Sequence, residues 1–225
     1  MGVIVVIPTL NEAASIGAAV AAIPRDVVDR IIVADGGSND GTAEIARRAG
    51  ANTIAAGLGY GRACLAGATA AGATDIIVFM DGDGADDPAA IAGLTAPIHS
   101  GAYDFVIGSR ARGEREPGSM AGHQLFAGFA AGALIKLLYG VRYTDMCAFR
   151  AIRRDTLLKL GMRELGYGWN LEMQVRAART RLRVLEVPVV YRRRSGGQSK
   201  VAGNLRGSIT AGSRIVATFA RVALE

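Results

Sequence analysis

The run Ile76–Met80 is a continuous block of apolar residues that stops at two aspartates one residue apart, Asp81 and Asp83. It is too short for a helix and shows no polar alternation, so it reads as a strand buried on both faces, as in parallel sheets covered by helices. Such sheets place their ligands beyond the carboxyl ends of strands. Asp81 and Asp83 stand there. Two carboxylates so close repel each other, and desolvating them is costly unless positive charge lies between. A hard divalent cation, Mg²⁺ or Mn²⁺, answers that repulsion and keeps positions open for phosphate oxygens. The same stretch also suits a polar turn whose aspartates cap the next helix, since Gly82, Gly84 and Pro88 are turn residues.

Upstream, the same kind of unit recurs. Val3–Ile7 is an apolar strand closed by Pro8, Pro8-Thr-Leu-Asn-Glu12 is the turn after it, and an Ala-rich helical pattern runs from Ser15 to Ile23 before Pro24 stops it. Arg30–Ala34 is a second strand. It ends in Asp35-Gly-Gly-Ser-Asn-Asp-Gly-Thr42, whose small residues let backbone N–H groups approach a ligand, with Asp40 or Thr42 placed to cap a helix running to about Gly50. Ala51–Ala56 is a weaker strand, and Gly57-Leu-Gly-Tyr-Gly-Arg62 leads into another Ala-rich helix. Strand, loop and helix in alternation predict an α/β fold with a mostly parallel sheet flanked by helices. Gly57, Gly59 and Arg62 miss the third glycine of a dinucleotide fingerprint, and no Gly-Lys-Ser/Thr phosphate loop occurs.

A chain of 225 residues, half of them hydrophobic, holds one well-packed domain with room for an appendage. Cys64 and Cys147 lie far apart in no metal or disulfide spacing, which points to a reducing, cytoplasmic setting. The N-terminus enters a strand directly, with no signal-peptide pattern. The net charge of +6 hides a split. Up to Ser109 there are five Arg against twelve acids, and from Arg110 onward twenty-one Lys and Arg against eight. The first half suits a metal and a nucleotide; the second suits phosphates or an anionic membrane surface. These residues do not suit a nucleic-acid partner, because zinc-finger spacing and an RNP-like motif are lacking and aromatics for stacking are few.

Pro8-Thr-Leu-Asn-Glu12, Asp35-Gly-Gly-Ser-Asn-Asp-Gly-Thr42 and Asp81-Gly-Asp83, in this order and each at a strand end, resemble the family 2 glycosyltransferases of GT-A fold. Gly108-Ser-Arg110, Asp145-Met-Cys-Ala-Phe-Arg150, Gly166-Tyr-Gly-Trp-Asn-Leu-Glu172 and the stretch from Arg192 to Lys200 narrow the resemblance to polyprenyl-phosphate sugar synthases, the dolichol-phosphate mannose synthase group. The resemblance implies that Pro8, Glu12, Asp35 and Gly37 hold the nucleotide and that Asp81 and Asp83 hold the metal bridging the donor's phosphates. It implies that Arg110 lies near the acceptor phosphate. A cationic loop with Arg192 or Arg194, Ser199 and Lys200 would close over the donor. Gly36 stands where many relatives have a second aspartate, Gly84-Ala-Asp-Asp-Pro88 replaces a Leu-Gln-His-Pro pattern, with Asp86 or Asp87 available to complete the metal's coordination, and Cys147-Ala148 replaces Ser-Gly.

The implied reaction is metal-dependent, inverting transfer of a hexose, mannose or glucose, from a GDP- or UDP-sugar to a polyprenyl phosphate. Metal and cations stabilise the charge developing on the leaving diphosphate. A phosphate acceptor needs no strong base; a hydroxyl acceptor would, and Asp145 or Glu172 are the candidates. His99 and His123 read as surface or structural residues. The alternatives are a soluble acceptor and a nucleotide-sugar-binding homologue without catalysis. Leu125–Ile135 is apolar but shorter than a spanning helix, so it is expected to be buried or to lie in a membrane interface. The segment after residue 203 is expected to be a C-terminal amphipathic helix. Arg206, Arg214 and Arg221 share one arc of it opposite Ile209, Val216 and Phe219, the pattern of an interfacial helix or of a helix packed on the domain. Many relatives add spanning helices at the C-terminus, but this chain ends at Glu225, so a lipid acceptor would be reached from the membrane surface, peripherally on the inner face of the cell membrane.

Overall fold

The computed structural model describes residues 1–196, 217 and 219–222. The expected units appear in order: β1 (Val3–Thr9), α1 (Ile16–Ala21), β2 (Arg30–Asp35), α2 (Thr42–Arg48), β3 (Asn52–Ala55), α3 (Tyr60–Ala70) and β4 (Ile76–Phe79). The second half supplies α4 (Ile91–His99), β5 (Phe105–Ser109), α5 (Gly122–Tyr139), β6 (Arg150–Arg153), α6 (Arg154–Leu160), α7 (Trp169–Arg179) and β7 (Val184–Pro188). The strands form one seven-stranded sheet in the order β3-β2-β1-β4-β6-β5-β7. β1 pairs in parallel with β2 and β4, whereas β6 runs antiparallel to both β4 and β5. β5 and β7 are again parallel.

β1 and β4 are buried along their whole length, as their unbroken apolar runs require. α3 lies close over β1 because of Gly67: a Cβ there would come within 2.3 Å of Val6 Cγ1. The chain leaves β1 towards β2 on one side and reaches β4 on the other. The crevice outside the carboxyl ends of β1 and β4 is therefore the switch point where sheets of this class bind ligands. Pro8–Glu12 and Asp81–Asp83 open into it.

Two expectations about apolar segments resolve differently. Leu125–Ile135 falls within α5, which buries one side and exposes the other. At the C-terminus Phe219 and Val222 are buried in the domain core, Arg179 Nη1 donates to the Val222 carbonyl at 2.7 Å, and Arg221 pairs with Glu164 and Glu172. There the chain packs on the domain and Phe219 is not turned outward; Arg206, Ile209, Arg214 and Val216 lie outside the described residues. His99 ends α4 exposed, and the His123 side chain lies outside the described part.

Candidate active site

Beyond β4 the backbone is held tightly. Gly82 passes so close to the end of β1 that a Cβ would stand 2.9 Å from Thr9 Cγ2 and 3.2 Å from Ile16 Cδ1. Ser15 Oγ donates to the Gly82 carbonyl at 2.8 Å, fixing the turn between the two carboxylates. Asp83 Oδ1 accepts the Ala85 N–H at 2.9 Å, and buried Asp86 accepts the Asp81 N–H at 3.1 Å. Neither Asp81 nor Asp83 caps a helix. That task falls to Asp87, which accepts the Ala89 N–H ahead of the short turn Pro88–Ala90.

The acids are electrostatically strained. Burial, then the charge of Asp83, raises the Asp81 carboxyl to about 6, against the partial relief of Arg110, Arg194 and the Tyr60 hydroxyl. Burial and the charges of Asp81 and Asp83 push Asp86 well above the ordinary carboxylate range. Uncompensated negative charge on hard oxygens suits a hard divalent cation. Among the described residues no three Asp, Glu, His or Cys side chains converge as a metal-binding group. Asp81 and Asp83 fit such a cation as a two-carboxylate set, with the rest of the coordination left to phosphate oxygens and water.

On the nucleotide side Pro8, Glu12 and Gly36 line a cavity of about 650 Å³ that also takes in Asp81, Asp83, Arg110 and Arg194. The Glu12 N–H donates to Thr42 Oγ1 at 2.8 Å, so the hydroxyl that opens α2 also pins the turn after β1. Asp35 behaves differently from expectation. Its carboxylate accepts the N–H groups of Gly37 and Ser38 and the Ser38 hydroxyl, and neither it nor Gly37 lines the cavity. It shapes the loop. Gly36 does line the cavity, with a Cβ position 3.1 Å from the Thr9 carbonyl, so an aspartate there would crowd β1.

Arg110 enters from the end of β5. Asp145 grips it with three contacts, from its backbone N–H at 2.9 Å and from Nε and Nη2 at 2.8 Å each, while its guanidinium lies 5.0 Å over the Tyr191 ring. Burial pushes the Asp145 carboxyl up, but the hydrogen bonds and charge of Arg110 outweigh it and leave it below its ordinary value. A carboxylate so held is a poor proton acceptor, and Asp145 positions Arg110 instead of facing the cavity. Glu172 is not brought to the site either. Fully buried in α7, it accepts the N–H groups of Arg163 and Glu164 and pairs with Arg176 and Arg221.

The cationic loop lies across the acidic turn. Arg192 N–H donates to the Ala85 carbonyl at 2.8 Å and Ser195 N–H to the Asp83 carbonyl at 3.0 Å. The side chains then diverge: Arg192 pairs with Asp87, and Arg193 reaches Pro117. Arg194 alone of the three lines the cavity, with Nε 3.1 Å from Asp83 and Nη2 3.1 Å from Glu12. Ser199 and Lys200 lie outside the described residues.

Several lining residues escape sequence reasoning. Tyr60 donates to Asp81 at 3.3 Å and stacks on Tyr167 with centroids 6.4 Å apart; Gln124 and Tyr191 also face the cavity. The available signal was the glycine pair around Tyr60. A Cβ on Gly59 or Gly61 would meet the backbone carbonyls of Leu165 and Glu164, so these glycines press the start of α3 against the loop carrying Tyr167.

The profile of the family described as "Glycosyl transferase family 2" matches residues 4–161. The chain belongs to this family. An uncharacterised glycosyltransferase of Mycobacterium tuberculosis is 39% identical over 215 residues, 93% of this chain and 94% of that one. The undecaprenyl-phosphate mannosyltransferase of Micrococcus luteus is 30% identical over 226 residues, covering 92% and 90%. The polyprenol monophosphomannose synthase of Mycolicibacterium smegmatis is 30% identical over 218 residues, covering 89% and 81%. Among solved structures, glucosyl-3-phosphoglycerate synthase from Mycobacterium tuberculosis, in complex with Mn²⁺, UDP-glucose and phosphoglyceric acid, superposes with a TM-score of 0.77 at 23% identity, over 98% of this chain and 79% of that one. The family 2 chain thus has the GT-A fold. No described helix is long and apolar enough to cross a membrane.

Proposed function

We propose that this family 2 glycosyltransferase moves a hexose from a nucleotide diphosphate sugar to a polyprenyl phosphate, inverting the anomeric carbon in a single displacement. Pro8, Glu12 and Gly36 receive the nucleotide, Asp81 and Asp83 hold Mg²⁺ or Mn²⁺, and Arg194 reaches the diphosphate. A divalent cation bound there would supply positive charge against that developing on the leaving diphosphate. Arg110, pre-oriented by Asp145, offers its forked donors to the acceptor phosphate.

The observation that carries this reading is the chemistry of the acceptor side. Among the described residues the acids lining the cavity are Glu12, Asp81 and Asp83. Glu12 is engaged by Arg194, while Asp145 and Glu172 are committed elsewhere. With Asp81 and Asp83 given to the metal in this proposal and no other uncommitted base among the described lining residues, the site favours an acceptor whose oxygen is already anionic. The mannosyltransferase relatives support the same choice, and working peripherally at the inner face of the membrane would bring the chain to such a lipid. The phosphoglyceric acid in the structural neighbour supports a soluble acceptor as the second reading.

The test supplies the protein with Mn²⁺, UDP-glucose or GDP-mannose, and three acceptors: a short-chain polyprenyl phosphate, the corresponding alcohol, and 3-phosphoglycerate. Glycosylation of the polyprenyl phosphate alone is expected. Product from the alcohol or the phosphoglycerate, with the polyprenyl phosphate inert, rejects the reading.

A further inference from the structure

Between Leu125 and Ile135 α5 is apolar around its circumference, and a helix of that kind is ordinarily buried on all sides. Here only half is. Gly128, Ala131, Gly132 and Ile135 recur with helical spacing on the buried side, where Gly132 meets the Tyr143 carbonyl so closely that a Cβ would stand 2.1 Å from it. On the outward side Phe126 is 72% exposed, Phe129 65% and Leu137 81%, with Leu134 and Leu138 also exposed. Side chains of this size, contiguous along one helix face, are a surface that water does not favour.

The surroundings say what covers it. Lys136 on α5 itself, Arg112 and Arg142 rim a groove of about 530 Å³ that Leu125 and Phe129 also line, and no acidic residue occurs between Glu116 and Asp145. Glu186 reaches the groove through Thr144, but the three cations outnumber it, and apolar bulk beside a net positive rim complements an anionic lipid surface. The helix has 18 residues and does not qualify as a spanning segment, which suits an in-plane orientation. Its first turn lends Gln124 to the cavity lining, and one turn on a Cβ at Gly128 would stand 3.9 Å from Oδ1 of Asp145, the partner of Arg110, so α5 runs beside the Arg110 pair.

We infer that the outward face of α5, with Arg112, Lys136 and Arg142 beside it, docks the protein on an anionic lipid bilayer. The apolar side chains enter the acyl boundary while the cations meet headgroup phosphates. The orientation presents Arg110 to a lipid phosphate, and in this respect the inference rests on the acceptor reading above. The described end of the C-terminal segment contributes no apolar anchor, since Phe219 and Val222 face inward.

Co-sedimentation of the full chain with vesicles of phosphatidylcholine, alone or mixed with phosphatidylglycerol, tests the inference. Binding to the mixed vesicles is expected to fall about tenfold or more in a Phe129→Glu, Leu137→Glu variant, and to lose most of its salt dependence in a Lys136→Glu, Arg142→Glu variant. Transfer to a water-soluble short-chain polyprenyl phosphate is expected to be unchanged in the first variant, which also confirms that it folds. Absence of vesicle binding, binding indifferent to both variants, or a dimer that the first variant dissolves overturns the inference. If the wild type binds vesicles but does not glycosylate the short-chain acceptor, the acceptor reading fails and the docking surface stands.

Discussion

Asp145→Asn isolates the pair that positions Arg110. The substitution keeps the shape of the side chain but removes the charge facing a guanidinium whose side chain is only 17% exposed. Breaking a buried pair on one side costs roughly 3–5 kcal/mol. With its oxygen in the place of Oδ2 the asparagine still accepts two of the three hydrogen bonds, and Tyr191 still faces the cation, so a loss of about 2–3 kcal/mol is expected. At about 2–4 °C per kcal/mol for a chain of this size, the melting temperature should fall by about 4–12 °C. Calorimetry in the Arg110→Gln background provides the control: with no cation to neutralise, the same substitution should cost under about 1 kcal/mol. In the proposed reaction, Asp145→Asn should raise KM for the acceptor about tenfold while leaving donor affinity unchanged. An equal cost in both backgrounds, or a donor defect matching the acceptor defect, would refute the pairing argument.

Other consequences follow from the acidic turn and the loop above it. Asp81 has a folded pKa of about 6 against an ordinary 3.8, so the folded state binds the extra proton and stability without metal should decline as pH rises between those values. Asp81→Asn should flatten that decline and stabilise the metal-free protein above pH 6 by about 1–3 kcal/mol, read from melting curves in a chelator. Gly82→Ala should cost about 1–3 kcal/mol in urea denaturation, because Thr9 and Ile16 occupy the space a Cβ needs. Arg194→Ala should weaken binding of a nucleoside diphosphate about tenfold by titration calorimetry, whereas Arg192→Ala, whose side chain turns to Asp87, should leave it nearly unchanged.

The first four strands were legible because each is a short apolar run closed by turn residues, and the ligand-bearing end follows from the parallel order. β6 was not. Arg150-Ala-Ile-Arg153 carries charges at both ends, and its antiparallel insertion between β4 and β5 depends on neighbours remote in sequence. Asp81 and Asp83 read equally as a cation site or as caps of the next helix; the structure gives the capping role to Asp87, and the cation remains part of the proposal. Asp145 and Glu172, the base candidates for a hydroxyl acceptor, do not line the cavity, for one reason: composition reveals a carboxylate but not which cation it faces, and Arg110 and Arg176 claim these two. The choice between Arg192 and Arg194 likewise turned on alternation along the loop, fixed by its backbone bonds to Ala85 and Asp83.

The central claim is that the cavity binds a nucleotide diphosphate sugar through a divalent cation held by Asp81 and Asp83. Titration calorimetry of UDP-glucose and GDP-mannose into the protein, with Mn²⁺ and then with a chelator, in wild type and Asp83→Ala, measures this directly. Saturable binding of at least one of them, lost on chelation and in the variant, is the predicted result. Absence of binding by either, or binding unchanged by chelation and by the substitution, would contradict it.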